Sequence, residues 1–291
     1  MTILIENDQL KVTIAEHGAE LVSLISKETG IEYIWQADPT YWGRHAPVLF
    51  PFVGRLKNDQ YTYQGHTYHM GQHGFARDMD FTVIEQGAES VALSLKSTPE
   101  TRKNYPFDFE LIIRYELGGD GVVTHYQVQN TGNDTMYFSI GGHPAFNVPL
   151  EEGLTFEDYF LAFSPMKSRI RLPLNGPYID WEQKTLGQTN TSFKLTREMF
   201  KDDAVIFETK GLNAFSVRSE KSPHSLTLSY NNLPYVGFWS PYPKEAPFVC
   251  IEPWAGIADT MDTTGELIDK KGIQTLAPEE LYQTKYSITV K

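Results

Sequence analysis

Four short segments carry residue types that could do chemistry: Pro51-Phe-Val-Gly-Arg55, His73-Gly-Phe-Ala-Arg77, Gly141-Gly-His143-Pro-Ala-Phe-Asn147 and Ile251-Glu252-Pro-Trp254-Ala-Gly256. In the last two, an ionisable residue directly precedes proline. The proline ring excludes the residue before it from the α region and holds it extended. His143 and Glu252 are therefore restrained by their neighbours before any tertiary contact forms. Gly141-Gly142 adds a stretch of bare backbone that a ligand could approach. Glu252 follows Phe248-Val-Cys-Ile251, which reads as a buried strand. A carboxylate at the end of such a strand loses hydration and becomes a stronger base unless it is paired. A histidine and a desolvated glutamate suit general acid–base catalysis near neutral pH.

Taken singly, none of these residues carries a claim. A histidine before proline is more often a structural hydrogen-bonder, and a glutamate ending a strand is more often solvated or salt-bridged. No metal site is expected. His69 and His73 would share a face only on a helix, and Gly65, Gly71 and Gly74 argue against a helix there. His17, His45, His125 and His224 have no suggestive neighbours. The single cysteine, Cys250, lies in an apolar run, so it reads as a buried thiol with nothing beside it to lower its pKa.

The elements that must position these residues are strands. Leu10, Val12 and Ile14 alternate with polar residues, as do Phe107, Phe109, Leu111, Ile113 and Tyr115, and Tyr282–Val290 reads as another strand. Gln64-Gly65-His66, Gln86-Gly87-Ala88 and Gly118-Gly-Asp-Gly121 each separate two such runs, which predicts three hairpins. Helical signals are confined to one or two turns at Thr196–Phe200 and at Pro39–Trp42. Residues 165–200 are the least regular and are expected to loop over the surface. With no internal repeat and no linker-like tract, residues 1–291 read as a single all-β domain, an antiparallel β-sandwich with few short helices.

Composition narrows the partners. The formal net charge is −12 and aromatics make up 13% of the chain. Such a surface repels phosphate backbones and anionic lipid, so neither nucleic acid nor membrane is an expected partner. No apolar run approaches the length of a transmembrane helix, and the N-terminus has no basic region followed by an apolar one. The expected location is the cytoplasm. A homodimer is compatible with the sequence.

Taken in order, the segments resemble the aldose 1-epimerase (galactose mutarotase) superfamily, and within it the galactose-mutarotase-related, LacX-like branch. The residues that carry the resemblance are Gly54-Arg55, His73-Gly-Phe-Ala-Arg77, Gly142-His143-Pro-Ala-Phe146, Phe238-Trp239 and Glu252-Pro-Trp-Ala-Gly-Ile-Ala-Asp259. The resemblance implies a β-supersandwich with a sugar cleft. It implies His143 as the acid that protonates the ring oxygen, and Glu252 as the base that takes the anomeric hydroxyl proton. Arg55 and His73 would bind substrate and stabilise charge, and the reaction needs no cofactor. Phe75, Trp239 and Trp254 are candidate stacking faces for a pyranose. The chain departs from galactose mutarotases at Phe75, where they carry glycine, and at Pro253-Trp254. Asp203 is the candidate for their substrate-binding aspartate. The resemblance thus implies the reaction type and leaves the sugar open. A hexose 6-phosphate mutarotase, with Arg55 and Arg77 near the phosphate, is one alternative. A non-catalytic sugar-binding protein is another, and a glycosidase using Glu252 and Asp259 is a third.

Overall fold

The structure is a computed structural model that describes residues 1–291. Two large antiparallel sheets form its body. The first has nine strands in the order Phe193–Lys194, Tyr159–Ser164, Leu212–Ser219, Ser222–Asn231, Leu281–Val290, Gly121–Asn130, Phe109–Gly118, Ser90–Lys96 and Thr82–Gln86. The second runs Thr185–Gly187, Arg169–Leu172, Val205–Glu208, Tyr235–Trp239, Phe248–Ala255, Ile140–Gly142 and Val48–Leu49, with Ala145–Asn147 also paired to Phe248–Ala255. A three-stranded sheet from residues 2–26 packs onto the same core.

The alternation read from the sequence is the alternation of burial. In Phe109–Gly118 every second side chain is buried, as a sheet with one covered face requires. The three expected hairpins form at Gln60–His69, Thr82–Lys96 and Phe109–Asn130. The two sheets meet through aromatics: Phe238 of the second packs edge-on to Phe163 and Phe215 of the first.

Three expectations change. Residues 165–200 are not a surface loop but supply short paired strands, two of them on the edge of the second sheet. Short strands bounded by turn residues lack the long alternation that marks a strand in sequence. Pro39–Trp42 forms a turn closed on the Asp38 carbonyl rather than a helix. Thr196–Phe200 does yield a single 3-10 turn, Arg197–Phe200. Glu252, finally, lies inside the strand Phe248–Ala255 and not at its end, because Pro253 stays in the ladder opposite Val236.

Strand Phe248–Ala255 is buried along its whole length. Val249 and Ile251 enter the core between the sheets. Phe248, Cys250, Glu252 and Trp254 therefore line the opposite face, since side chains alternate. The neighbouring strands make room for them. A Cβ at Gly237 would lie 2.5 Å from the Trp254 ring, and one at Gly141 would lie 2.6 Å from it. Two bare positions on the flanking strands thus seat one indole.

Gly237→Ala is expected to cost about 1–3 kcal/mol through overpacking against Trp254. Gly71→Ala, where an added Cβ meets nothing within 4 Å, should leave stability nearly unchanged. Urea unfolding of both variants checks the pair.

Candidate active site

The register of the second sheet sets the geometry of the site. Ala145 lies opposite Cys250, and Gly141 lies opposite Trp254. Counting inward from either end brings His143 opposite Glu252, with Pro144 opposite Ile251. The His143 N–H donates away from this pair, to the Pro47 carbonyl at 3.1 Å, while Ile251 N–H donates to the Pro144 carbonyl at 3.2 Å. His143 and Glu252 therefore occupy a non-hydrogen-bonded antiparallel position, where facing side chains come closest. Their contact is His143 Nε2 to Glu252 Oε2 at 3.2 Å, with side chains 8% and 2% exposed. On the other flank Glu252 faces Gly237, whose missing side chain leaves room for the Trp254 ring.

This pair lies in a cleft of about 620 Å³ whose lining includes Trp42, Arg44, Arg55, His73, Arg77, Asp203, Trp239 and Trp254. Of the residues expected from sequence, Arg55, His73, His143, Asp203, Trp239 and Glu252 converge here. Phe75 does not. Its ring packs edge-on or tilted against Phe50, Tyr105 and Phe109 in the core. The chain turns at His73-Gly74, both at positive φ, and Phe75 and Ala76 both donate to the Phe50 carbonyl. That turn points the ring into the core.

The same turn fixes His73. Its N–H donates to the Gly54 carbonyl at 2.9 Å, and the Gly54 N–H donates to His73 Nδ1 at 3.1 Å. An accepting Nδ1 leaves the proton on Nε2. Burial first, and then His143 and the nearby arginines, hold His73 well below the usual histidine range. It is a neutral donor. Arg55 follows Gly54, which takes φ +74° against Ala258.

Burial also governs His143 and Glu252. It pushes His143 down to about 3, with the charges of Arg77 and Arg44 adding to the effect. It pushes the Glu252 carboxyl well above its ordinary 4.5, and Asp203 adds to that shift while the Trp254 indole opposes it. Asp203 is raised as well, mainly by burial. Trp42 and Arg44 join the cleft without any sequence motif that marks them as site residues. Trp42 stacks on His143 with ring centroids 4.8 Å apart, and Trp239 meets the same imidazole edge-on at 5.6 Å. Their only local cue is an aromatic and an arginine around Gly43. Arg44 and Arg77 both reach the Asp78 carboxylate, at 2.7 and 3.8 Å.

His143, Cys250 and Glu252 also form a compact group of three atoms able to hold a metal, all within 4.8 Å of one another. The field around them opposes a divalent cation, because Arg77 and Arg44 act on His143. His69 and His66 stand on an exposed hairpin and take no part.

With this geometry in place, comparisons with known proteins settle the family. The profile of the family "Aldose 1-epimerase" matches residues 1–289. The chain belongs to the aldose 1-epimerase family. It is 36% identical to the chromosomal LacX protein of Lactococcus lactis over 300 residues, covering 100% of this chain and 99% of that one. The structure superposes on a galactose mutarotase related enzyme from Lactobacillus acidophilus with a TM-score of 0.99 at 46% identity, covering 100% and 97% of the two chains. A galactose mutarotase-like protein from Lactobacillus casei gives 0.93 at 35%, with full coverage of both chains. The fold of this aldose 1-epimerase family member is therefore the galactose mutarotase-like β-sandwich.

The raised Glu252 carboxyl has a consequence for stability. Below about pH 4.5 it is protonated in folded and unfolded chains alike. As pH rises from there to the folded pKa, only the unfolded chain ionises, and stability is lost. Glu252→Gln removes this loss. The variant should gain on the wild type as pH rises above about 4.5 in denaturant melts, and a gain that is constant with pH would contradict the assigned burial cost.

Proposed function

We propose that this chain is a mutarotase that interconverts the α and β anomers of a hexose such as galactose or glucose. The observation that carries the reading is the buried 3.2 Å contact between His143 and Glu252 at the floor of the cleft. Mutarotation moves one proton off the anomeric hydroxyl and one onto the ring oxygen. The ring opens, C1 turns, and closure on the other face returns both protons.

Glu252 is the base, strengthened by burial. His143 is the acid, and it gives its proton to the ring oxygen. Burial favours the neutral form of both groups. The reaction uses the imidazolium–carboxylate form, which differs by one proton moved across 3.2 Å. Arg55 keeps its proton throughout and stabilises negative charge developing on the ring oxygen. His73 donates from Nε2, and Asp203 accepts from a sugar hydroxyl. Trp42, Trp239 and Trp254 offer faces for the apolar side of a pyranose. No redox or group-transfer cofactor enters this chemistry.

A phosphorylated aldose is a second reading of the substrate, favoured by one observation. Although the chain carries a net charge of −12, the cleft gathers Arg44, Arg55, Arg77 and Lys201 against two carboxylates, Asp203 and Glu252. Burial first, and then the charge of Arg44, push Arg77 down to about 10, and an anionic substituent beside it would favour its charged form.

Polarimetry of freshly dissolved α-D-glucose and α-D-galactose tests the reaction. Glu252→Gln and His143→Ala should each lose about 10²–10⁴-fold in kcat/KM, and full activity in either folded variant would refute the roles. Because the reactive pair holds one shared proton, the wild-type rate should fall toward alkali as the raised Glu252 carboxyl loses it, and should fall toward acid only near the lowered His143 value of about 3. If the cleft selects a phosphate, hexose 6-phosphates should exceed free hexoses in kcat/KM and Arg44→Ala should erase the difference. Equal rates on both would leave the free sugar as substrate.

A further inference from the structure

Behind Arg55, and outside the lining of the cleft, lies an ion pair closed off from water. Lys270 Nζ is 2.8 Å from Asp259 Oδ1, and both side chains are 4% exposed. Lys270 also donates to the Ile257 carbonyl at 2.8 Å. The other carboxylate oxygen, Asp259 Oδ2, accepts from the Lys57 N–H at 2.8 Å. The Asp259 main chain completes the set: its N–H donates to the Arg55 carbonyl at 2.9 Å, and its carbonyl accepts from Ile179 N–H at 2.9 Å.

These bonds bracket one residue. Asp259 holds the carbonyl of Arg55 and the amide two positions on. Gly54, just before it, is held to His73 in both directions and lies so close to Ala258 that a Cβ would stand 2.6 Å from the alanine Cβ. The Arg55 side chain itself is loosely tied, its Nε 3.5 Å from Asp59 on the surface. Its place in the cleft is thus set by the backbone that carries it.

A buried ion pair is seldom worth more to stability than an apolar pair of equal volume. What an apolar pair cannot supply is an acceptor for the Lys57 N–H. We propose that Asp259 and Lys270 are positioning residues for Arg55: Lys270 fixes the carboxylate, and the carboxylate fixes the Arg55 loop at the distance the reaction needs. This inference rests on the mutarotase reading of the cleft.

The test is a cycle between the pair and Arg55, read in kcat/KM by polarimetry on the full-length protein. Lys270→Met alone leaves Asp259 buried without its partner and can fail to fold, so the paired variant Asp259→Leu/Lys270→Met, which carries neither a buried charge nor an acceptor for the Lys57 N–H, is the working one. It should fold and lose about 10–100-fold, the scale of a misplaced catalytic group. In an Arg55→Ala background the same exchange should cost less than about 2-fold, because residues that act through one another do not add. An equal loss in both backgrounds, or none in either, would overturn the proposal. Hydrogen exchange separates it from the reaction itself. If the wild type does not speed mutarotation at all, the reaction reading fails and so does a role in it for the pair. Faster exchange of the Arg55–Lys57 amides in the paired variant, at unchanged global stability, would then still support the hold on the loop, and unchanged exchange would remove that too.

Discussion

Glu252 has a facing partner on each side of its strand, and that cross-strand register is what the cleft depends on. Three rows cross the face of the second sheet that is turned away from the first. Gly141, Trp254 and Tyr235 form one, His143, Glu252 and Gly237 the next, and Ala145, Cys250 and Trp239 the third. Each row combines large and small side chains. The middle row is the one that sets His143 beside Glu252, with the Trp254 ring over Gly237 at its end. A slip by one residue would turn His143 or Glu252 into the core, so the hydrophobic fit of Val249 and Ile251 between the sheets also places His143 against Glu252.

Proline adds a second restraint at the same place. Pro144 and Pro253 each remove a backbone donor next to the His143–Glu252 row. The ladder tolerates this because the remaining bonds close around the gap. Ile251 still donates to Pro144, and His143 turns its own N–H to Pro47. Burial then sets the chemistry. The same desolvation that lowers His143 raises Glu252, which narrows the cost of moving a proton between substrate and protein. Arg55, His73, Arg44 and Arg77 surround that pair with fixed positive charge and donors. The balance suits a reaction in which negative charge appears on oxygen and nothing leaves the substrate.

Much of this is legible in the sequence because it is local. The alternation at Phe109–Gly118 and the glycine turns between strands need only neighbours along the chain, and so does the pre-proline restraint on His143 and Glu252. That Arg55, His73 and Trp239 would share a cleft was implied by the family resemblance. What could not be read depends on distant contacts. His143 and Glu252 are 109 positions apart in sequence, and only sheet pairing sets them opposite each other. Phe75 looked like a stacking face, yet the turn at His73-Gly74 sends it into the core. Trp42 and Arg44 come from a loop with no periodicity and enter the cleft only through tertiary packing.

The most direct measurement of the central claim is a crystal structure of the Glu252→Gln variant with a bound aldose. The sugar's ring oxygen should lie within hydrogen-bond distance of His143 Nε2, its anomeric hydroxyl should face the side chain at position 252, and Arg55 should reach the ring oxygen. A sugar bound with its anomeric carbon turned away from His143 and position 252 would contradict the account.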